Sequence, residues 1–551
     1  MSDVPVRPVT GFSAIVAYAL VTYKPDVLLF SRPSFFGTFF QIWTLCFSIW
    51  AFWKVILYPK YFSPLRHLPG PENASWWNGN AARIFSEANG APAAEWLRTI
   101  PHDGVFRYLG IFNSERLVTT SPKALAEICT RNYEFIKPRQ LTYIGGQILG
   151  PGLVLADGDE HKRQRKLLMP AFAVKHIKDL YPVFWEKAKE VTDKMTELMK
   201  NDTSKERELS TFDIGEWASR AALDVITLAA LGKDFGAIKD PETPLNRTYR
   251  IVFEPTRLLQ IFAILKGVIP GWIVNIIPIK RNLAMEHAAQ TIKATCRDVI
   301  RVKQEKLARK ELTDIDILSI MVKSQEIAED GMVDQMMTFL AAGHETVSVG
   351  ITWAIYMMCV HPDWQARLRA EVRESLPSPL SSDTNIASTD IDQLPLLNAF
   401  CNEILRYWPP IPMTTRTAAC DTTILGHFVP KETRIIVAIT GTNRDKNQWG
   451  PDADQFRPER WMTAEGKPDA TGGASSKYGL LSFMHGPRNC IGSGFARSEM
   501  ACVVAAWVGR FEFVLRDEKE LDEKNVVVSG GAFSAKPLKG IWVKAKIVEG
   551  W

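Results

Sequence analysis

Residues 35–57 form an uninterrupted apolar run, FFGTFFQIWTLCFSIWAFWKVIL, in which only Gln41 and Lys54 are strongly polar. At ~1.5 Å per residue, a helix of this length crosses a hydrocarbon core of ~30 Å. A cleavable signal peptide does not fit, because the run is too long, begins late and has no small-residue cleavage site after it. We therefore predict a membrane-spanning helix over residues 35–57.

A weaker apolar stretch precedes this run at residues 9–23. It is either a second, short span or an interfacial helix, and the break at Lys24-Pro25-Asp26 leaves both open. After the main run comes Leu-Pro-Gly-Pro at residues 68–71. Its two prolines fix φ and its glycine leaves φ free, which predicts a stiff turn out of the membrane. We expect an anchor over residues 1–66 and a separate globular part over residues 67–551.

The composition fits one ordered globular body and narrows the function classes. Of 551 residues, 46% are hydrophobic and 23% are charged, which excludes overall disorder. The net charge of +5 is too small for its length to indicate a nucleic-acid partner. None of the eight cysteines forms a CxxC pair, which argues against a zinc ribbon, a thioredoxin-type site or a disulfide scaffold. The pattern suits a reducing compartment with one special cysteine at most.

Periodicity predicts the coarse organisation of the globular part. Residues 104–120 read as two short strands around Asn113-Ser114, and residues 121–375 are mostly helical. Strand-like segments return at 414–438 and 511–548, and a final helix follows Gly494. The prediction is one large domain, mainly α with small β-sheets, of the α+β class.

The segment with the clearest chemistry is FMHGPRNCIG, residues 483–492. It places Cys490 in a loop constrained by glycine and proline, just before a helix whose N–H groups favour a thiolate. Such a thiolate can act as a nucleophile or as an axial iron ligand. The ordinary fate of a cysteine, burial as a small apolar side chain, is the competing interpretation.

The loop resembles the haem-binding loop of the cytochrome P450 family, FxxGxRxCxG, at Phe483, Gly486, Arg488, Cys490 and Gly492. The resemblance implies the cytochrome P450 fold and haem b (iron protoporphyrin IX) as cofactor. It implies Cys490 as the metal ligand to the haem iron, Phe483 as a shield of its sulfur and Arg488 as a partner of a haem propionate. The two glycines would allow close backbone approach.

A second segment, AGHET at residues 342–346, lies inside an apolar helix expected over about 332–359. A zinc-protease HExxH site is excluded, because position 348 is Ser. The segment is similar to the family's oxygen-binding AGxxT, which implies catalytic roles for Thr346 and Glu345 in proton delivery and places Gly343 against the cofactor. We expect the Thr346 side chain to turn toward its own helix backbone.

A third segment places Glu403 and Arg406 on one helix face, where a local ion pair is expected. The family resemblance makes it a buried structural pair, joined by Arg460 from the loop FRPERW at residues 456–461. Trp461 stands there in place of the more usual phenylalanine. This triad would hold the scaffold and would not touch substrate.

A fourth segment, GDEHKRQRK at residues 158–166, reads on its own as a solvated basic face. It is similar to the family's WxxxR helix, with His161 in the tryptophan position and Arg165 in the arginine position. Both residues, and Arg416 from a later segment, are thereby implied as haem propionate partners. Arg163 and Lys166 are a candidate docking face for a redox partner, although solvated surface is the simpler interpretation.

The resemblance implies a monooxygenase that hydroxylates, epoxidises or further oxidises a lipophilic small molecule with O2. Only 61 residues follow Cys490, so electrons are expected from a separate NADPH–cytochrome reductase, with cytochrome b5 as a further candidate donor. A haem-thiolate isomerase or dehydratase and a non-catalytic haem-binding protein are the alternatives. The anchor resembles that of microsomal members, which implies one or two passes through the endoplasmic reticulum membrane and a domain facing the cytosol.

As a whole, the sequence most resembles those of fungal members of the family, which suggests a role in secondary metabolism and a substrate such as a terpenoid. By the same resemblance, the candidate walls of the substrate pocket are residues 143–149, Phe339, Ala342, Met413 and residues 532–533.

Overall fold

The computed structural model describes residues 5–24, 34–72, 74–88, 90–201, 210–244, 246–248, 280–378, 386–528 and 534–551. Helices dominate this part of the chain and strands are short, which confirms the predicted class. The helices are α1 Val6–Tyr23, α2 Phe35–Phe52, α3 Ala81–Ser86, α4 Ala91–Thr99, α5 Pro122–Thr130, α6 Arg139–Leu149, α7 Gly158–Leu168, α8 Val174–Asp179, α9 Tyr181–Asn201, α10 Ile214–Leu231, α11 Lys280–Ala308, α12 Ile317–Ser324, α13 Glu329–Val360, α14 Pro362–Ser375, α15 Ser388–Asp392, α16 Pro395–Tyr407, α17 Ile439–Asn443, α18 Lys446–Trp449 and α19 Ser493–Arg510. The strands are β1 Val105–Leu109, β2 Glu115–Thr119, β3 Phe135–Ile136, β4 Ser210–Asp213, β5 Thr414–Ala418, β6 Thr422–Ile424, β7 His427–Val429, β8 Arg434–Val437, β9 Phe511–Leu515 and β10 Trp542–Ile547.

The two amino-terminal helices pack against each other through small side chains. Ser13, Ala17 and Thr38 are buried, while most of the large apolar side chains of α1 and α2 are exposed. This is how helices associate where the surroundings are as apolar as the side chains. A π-helical segment, Trp53–Phe62, continues α2 directly. By length and composition, Val6–Tyr23 and Phe35–Phe62 are long and apolar enough to span a membrane. They coincide with the expected segments 9–23 and 35–57.

The expected turn at residues 68–71 lies along the first strand of the globular part. The backbone N–H of Arg107 in β1 donates to Pro69 O at 2.8 Å. A side chain at Gly70 would place its Cβ 2.4 Å from Arg107 O, so only glycine permits this approach. Leu65 and Leu68 are buried under the same sheet. The chain therefore leaves the apolar helices along a packed edge.

A five-stranded sheet of order β1-β2-β8-β5-β3 and a three-stranded sheet of order β4-β10-β9 stand beside the helices. β1 and β2 are the antiparallel pair expected around Asn113-Ser114. β8 is parallel to β2 and antiparallel to β5, so β5 and its residue Arg416 lie inside the sheet. The sheet thereby carries Arg416 to the cavity described below.

The long helix α13 runs through the middle of the helical core. Its residues are mostly buried on every side, as expected of a helix that is apolar all round. It packs against α10, α11, α16 and α19. Gly343 permits the contact with α10, because a Cβ there would lie 2.8 Å from the Ile226 side chain. The structure begins α13 at Glu329 and α19 at Ser493, within a turn of the expected starts.

Candidate active site

The cysteine loop forms one wall of a cavity that also reaches α13. Cys490 N–H donates to Phe483 O at 2.8 Å, which closes the loop before α19 begins. Gly486 has φ +78°, and a Cβ there would lie 2.4 Å from Cys129 O, so this glycine allows the expected close approach. At Gly492 a Cβ would meet only Phe172, at 3.8 Å. The N–H of Gly492 instead hydrogen-bonds the Cys490 side chain, as expected of an amide near the sulfur.

The Cys490 side chain is open to this cavity but otherwise enclosed by protein. Burial raises the pKa of the Cys490 thiol, while the Gly492 N–H and the charge of Arg165 act in the opposite direction. Burial and the polar groups of the loop therefore act on this thiol in opposite directions. A coordinated metal ion deprotonates a thiol outright and removes the cost of burial.

The opposite wall is the face of α13 that carries Thr338, Phe339, Ala342, Gly343 and Thr346. The Thr346 hydroxyl donates to Ala342 O at 2.7 Å, which confirms the prediction that it turns toward its own backbone. Further walls are supplied by other elements, mainly as apolar side chains: Leu153, Val154, Phe172, Ile226, Val347, Ile491, Phe495 and Ala496. The cavity is thus apolar, with Cys490 and Thr346 on different walls.

Glu345, predicted beside Thr346 as a catalytic residue, does not line this cavity. Its Oε1 accepts a hydrogen bond of 2.6 Å from the buried Ser534 hydroxyl, on the carboxyl-terminal segment. Burial raises the pKa of the Glu345 carboxyl, and the Ser534 hydrogen bond and the charge of Lys536 lower it in part. In a helix, consecutive residues lie about 100° apart, so Glu345 and Thr346 cannot face the same wall.

A cluster of basic side chains, which we call the cation edge, lines one border of the cavity. It consists of Lys137, His161, Arg165, Arg416 and Arg488. Four of these five were expected at a common site, and the structure brings them together from α7, β5 and the cysteine loop. Lys137, just after β3, was not expected, since a lysine beside a two-residue strand carries no local signature.

Hydrogen bonds fix part of the cation edge to the cysteine loop. Arg165 donates to Asn489 O at 2.7 Å and to Asn489 Oδ1 at 2.6 Å. Arg416 donates to Thr414 Oγ1 at 3.1 Å and to Thr415 O at 2.9 Å. Burial lowers the pKa of His161 to about 4, and the charges of Lys137, Arg488 and Arg165 add to the effect. His161 is therefore neutral near pH 7 and can donate a hydrogen bond without carrying a charge.

Arg488 is the residue of the cation edge whose hydrogen-bonding groups are not satisfied. Its side chain is 5% exposed and contacts Asp157, yet among the described residues none of its three nitrogens has a hydrogen-bond partner of good geometry. Lys137 reaches the same carboxylate at 3.9 Å. Arg488 and Lys137 thus share one carboxylate, and a buried guanidinium without hydrogen bonds is costly. This arrangement calls for an anionic ligand, and the two propionates of haem fit it.

Glu403, Arg406 and Arg460 form a separate buried cluster, which we call the glutamate node. Glu403 accepts from Arg406 at 2.7 and 2.8 Å and from Arg460 Nε at 3.1 Å. The exposure of the Glu403 and Arg406 side chains is 0%. Trp461 Nε1 also donates to Glu403, at 3.0 Å, a contact that the sequence did not predict. None of these residues lines the cavity, as expected of a structural group.

The family model for cytochrome P450 matches residues 69–539 of this chain. The chain belongs to the cytochrome P450 family. This confirms the resemblance drawn from the motifs and establishes haem b, which the family holds through a cysteine thiolate, as the cofactor. The thiol, the cation edge and the apolar walls all fit that group.

Fungal P450 monooxygenases match the chain over most of their length. The monooxygenase buaD of Petromyces alliaceus is 47% identical over 508 residues, which covers 91% of this chain and 92% of that protein. The monooxygenase sphH of Aspergillus fumigatus is 40% identical over 557 residues, covering 99% and 100%. FUM15 of Gibberella moniliformis is 40% identical over 527 residues, covering 88% of both. The chain is accordingly an enzyme of the P450 monooxygenase class.

Several candidate wall positions are corrected by the structure. Phe339 and Ala342 line the cavity, but residues 143–149 and Met413 do not. Tyr143 in α6 is 55% exposed, and Met413 packs against the small cluster around Trp96. Residues 532–533 lie outside the described residues. Helical spacing from Ala342 and Thr346 could have added Thr338, which lies two turns earlier on the same face.

Proposed function

We propose that this P450 is a membrane-anchored monooxygenase in which Cys490 is the axial ligand of the haem iron. The observation that carries the proposal is one apolar cavity that joins Cys490, Thr346 and an unsatisfied cation edge. A cysteine nucleophile would need a neighbouring base. His161, the histidine on the cavity wall, is a poor base, because it lies among cations and its pKa is lowered. An axial ligand needs only the thiol and a pocket for the porphyrin.

Each residue around the haem then has a definite task. Phe483, which belongs to the cysteine loop and lines the cavity, would keep water from the sulfur. Arg488, Arg165, Arg416 and His161 would bind the haem propionates. Lys137 joins them as a further cation. In the anchored enzyme, propionate binding would supply the hydrogen-bond acceptors that Arg488 lacks.

When bound, the haem supplies oxygen activation, and the protein supplies protons and a dry pocket. The Thr346 hydroxyl can hold a proton at the cavity wall, and its hydrogen bond to Ala342 O fixes its position. Glu345 lies behind that wall, held by Ser534, and burial raises the pKa of its carboxyl. A side-chain rotation away from Ser534 would carry its proton toward Thr346.

The apolar walls favour a lipophilic small molecule and position its C–H bond. The products we propose are hydroxylated, epoxidised or further oxidised derivatives. The matching relatives are fungal monooxygenases, and from the resemblance to fungal members we propose a role in secondary metabolism, with a terpenoid as one candidate substrate.

We also propose the cellular setting. P450 monooxygenases generally need a redox partner, and we infer an NADPH–cytochrome reductase, with cytochrome b5 as an auxiliary donor. Arg163 and Lys166 remain a candidate docking face, although Arg163 is already paired with Glu160 at 2.7 Å. The apolar helices support an anchor over residues 1–66 in the endoplasmic reticulum membrane, with the domain over residues 67–551 facing the cytosol. The packing of α1 on α2 favours two spans.

The axial assignment is tested with the carbon-monoxide difference spectrum of the reduced full-length enzyme. Cys490→Ala should abolish the thiolate-type Soret band, and Cys420→Ala, at an exposed cysteine away from the cavity, should retain it. A thiolate-type band in the Cys490→Ala enzyme would overturn the assignment. NADPH-dependent oxygen uptake with added reductase then distinguishes a monooxygenase from an isomerase or a haem carrier.

The proton role of Thr346 has its own test. Thr346→Ala should keep the Soret band but lower the product formed per NADPH consumed, because the hydroxyl on the cavity wall is lost. Thr352→Ala is a matched control, since the Thr352 hydroxyl also donates to the backbone carbonyl four residues earlier but does not line the cavity. Unchanged coupling in Thr346→Ala would contradict the role.

A further inference from the structure

A small loop on the globular part holds two tryptophan rings in solvent. In this loop, which we call the tryptophan loop, Ser75 and Gly79 exchange backbone hydrogen bonds of 2.8 and 3.0 Å. Trp76 at its tip is 74% exposed and Trp77 is 45% exposed. Two adjacent indoles in water are unfavourable, and exposed apolar groups of this kind mark interaction sites.

The loop is held in place by a strained turn between β1 and β2. Phe112 and Asn113 both have positive φ, 50° and 51°, which is costly for a phenylalanine. Asn78 Oδ1 accepts from Phe112 N–H at 3.1 Å, and the rings of Trp77 and Phe112 lie 6.1 Å apart. The surrounding contacts thus present the tryptophans outward on a fixed support.

The same turn is bonded to the end of the apolar helix. Asn113 Nδ2 donates to Val55 O and to Trp76 O, each at 2.8 Å, and Arg107 donates to Pro59 O at 2.9 Å. A span that starts at Phe35 crosses the hydrocarbon core in about 20 residues, and therefore ends close to Val55. One side-chain amide thus joins the expected membrane boundary to the backbone of Trp76.

The end of the apolar helix carries aromatic side chains of its own at this level. Trp53 is 42% exposed and Phe62 is 57% exposed, and their ring centroids lie 4.6 Å apart with the planes tilted by 37°. Tryptophan is enriched at the membrane interface because its ring is apolar and its N–H is polar. The tryptophan loop and the helix end, whose backbones are joined by the Asn113 amide, therefore both carry exposed aromatic rings.

We propose that the tryptophan loop inserts its two rings into the interfacial layer of the lipid bilayer. It is a second membrane contact, separate from the spans, and it fixes the orientation of the catalytic domain through the hydrogen bonds of Asn113. The proposal rests on the membrane anchorage proposed above, and it names the bilayer interface as the partner of this surface.

The test places a photo-crosslinking aromatic amino acid, p-benzoylphenylalanine, at single positions of the full-length enzyme in phosphatidylcholine vesicles. The three positions are Trp76, Phe40 in α2, which is 63% exposed, and Val514 in β9, which is 45% exposed. After irradiation, lipid adducts are quantified by mass spectrometry of the isolated protein. The aromatic probe preserves the ring at position 76, and a Soret spectrum of each preparation reports folding.

We expect severalfold more lipid adduct at positions 40 and 76 than at position 514. Labelling at 40 with the level at 76 no higher than at 514 overturns the second contact and leaves the anchor intact. Labelling at 40 no higher than at 514 overturns the anchorage itself, and the inference with it. The two failures are therefore distinguishable within one experiment.

Discussion

The glutamate node and the cation edge are both clusters of buried charge, but only one of them is complete within the protein. In the node, the five N–H donors of Arg406 find acceptors in Glu403 and in the backbone carbonyls of Asn443, Ala453 and Gln455. In the cation edge, the nitrogens of Arg488 lack hydrogen-bond partners among the described residues, and Asp157 is shared with Lys137.

The difference separates a group that stabilises the fold from a group that binds a ligand. A satisfied buried network gains nothing from a ligand, and loses much when one member is removed. An unsatisfied cluster destabilises the chain until an anion arrives, and the binding energy of that anion includes the relief of the desolvated charges. The four predictions below test this division.

The largest effect is expected at the centre of the node. Glu403→Gln leaves Arg406 buried without a counter-ion and Arg460 with only the longer contact to Asp452 at 3.4 Å, which should lower the free energy of unfolding by about 3–5 kcal/mol. Urea unfolding of the detergent-solubilised enzyme, followed by circular dichroism, measures it. Glu459→Gln is the control, because its pair with Arg367 is exposed and should contribute less than about 1 kcal/mol. Equal effects of the two substitutions would contradict the proposed role of the node.

A smaller and different effect is expected at Arg488. Arg488→Ala removes hydrogen bonds to the propionates worth about 1.5–3 kcal/mol, so haem should leave roughly 10–100-fold faster. Transfer of haem to excess apomyoglobin measures the rate. Arg163→Ala, on the exposed side of α7, should leave the rate unchanged. If Arg488→Ala instead kept the haem and unfolded as readily as Glu403→Gln, the two clusters would not differ in kind.

Trp461 tests how much a single additional hydrogen bond to Glu403 contributes to the stability of the node. Trp461→Phe removes the Nε1–H that donates to Glu403 Oε2 at 3.0 Å, while Arg406 still donates to that oxygen. We expect a loss of about 1–2 kcal/mol in the free energy of unfolding, because a hydrogen bond to a charged acceptor is lost but no charge is left unpaired. No change in the urea midpoint would show that Arg406 satisfies this oxygen alone.

The sequence predicted the residues of the glutamate node but not all of their contacts. The i, i+3 spacing predicted the Glu403–Arg406 pair, and the family resemblance implied that Arg460 joins it. The sequence showed only that Trp461 replaces the more usual phenylalanine of the motif. Its hydrogen bond to Glu403 is visible only in the structure. A side-chain contact across 58 residues leaves no periodic signal in the chain.

For the site, the sequence predicted the identities of the residues better than their directions. Cys490, Arg488, Arg165, His161, Arg416, Phe483, Gly343 and Thr346 all line one cavity. Glu345 does not, although the helical spacing of Ala342 and Thr346 could have shown that it lies off their face. Its partner Ser534 is 189 residues away and could not have been predicted. The raised pKa of the Cys490 thiol likewise depends on burial, which the loop sequence does not reveal.

The smallest effect is a pH dependence that belongs to the cation edge alone. Burial lowers the pKa of Lys137 to about 8, against the attraction of Asp157, and the charges of Arg488 and Arg416 lower it further. A nearby propionate favours the charged amine, so the haem-bound enzyme should hold this proton to higher pH than the haem-free one. Haem binding therefore takes up a proton above about pH 8, and retention should weaken severalfold as pH rises from there toward the ordinary lysine value of about 10.4. Lys137→Met should release haem faster at pH 7 and lose this slope, whereas Lys162→Met, on the exposed face of α7, should keep it. A slope that survives in Lys137→Met would place the titrating group elsewhere and remove Lys137 from the cation edge.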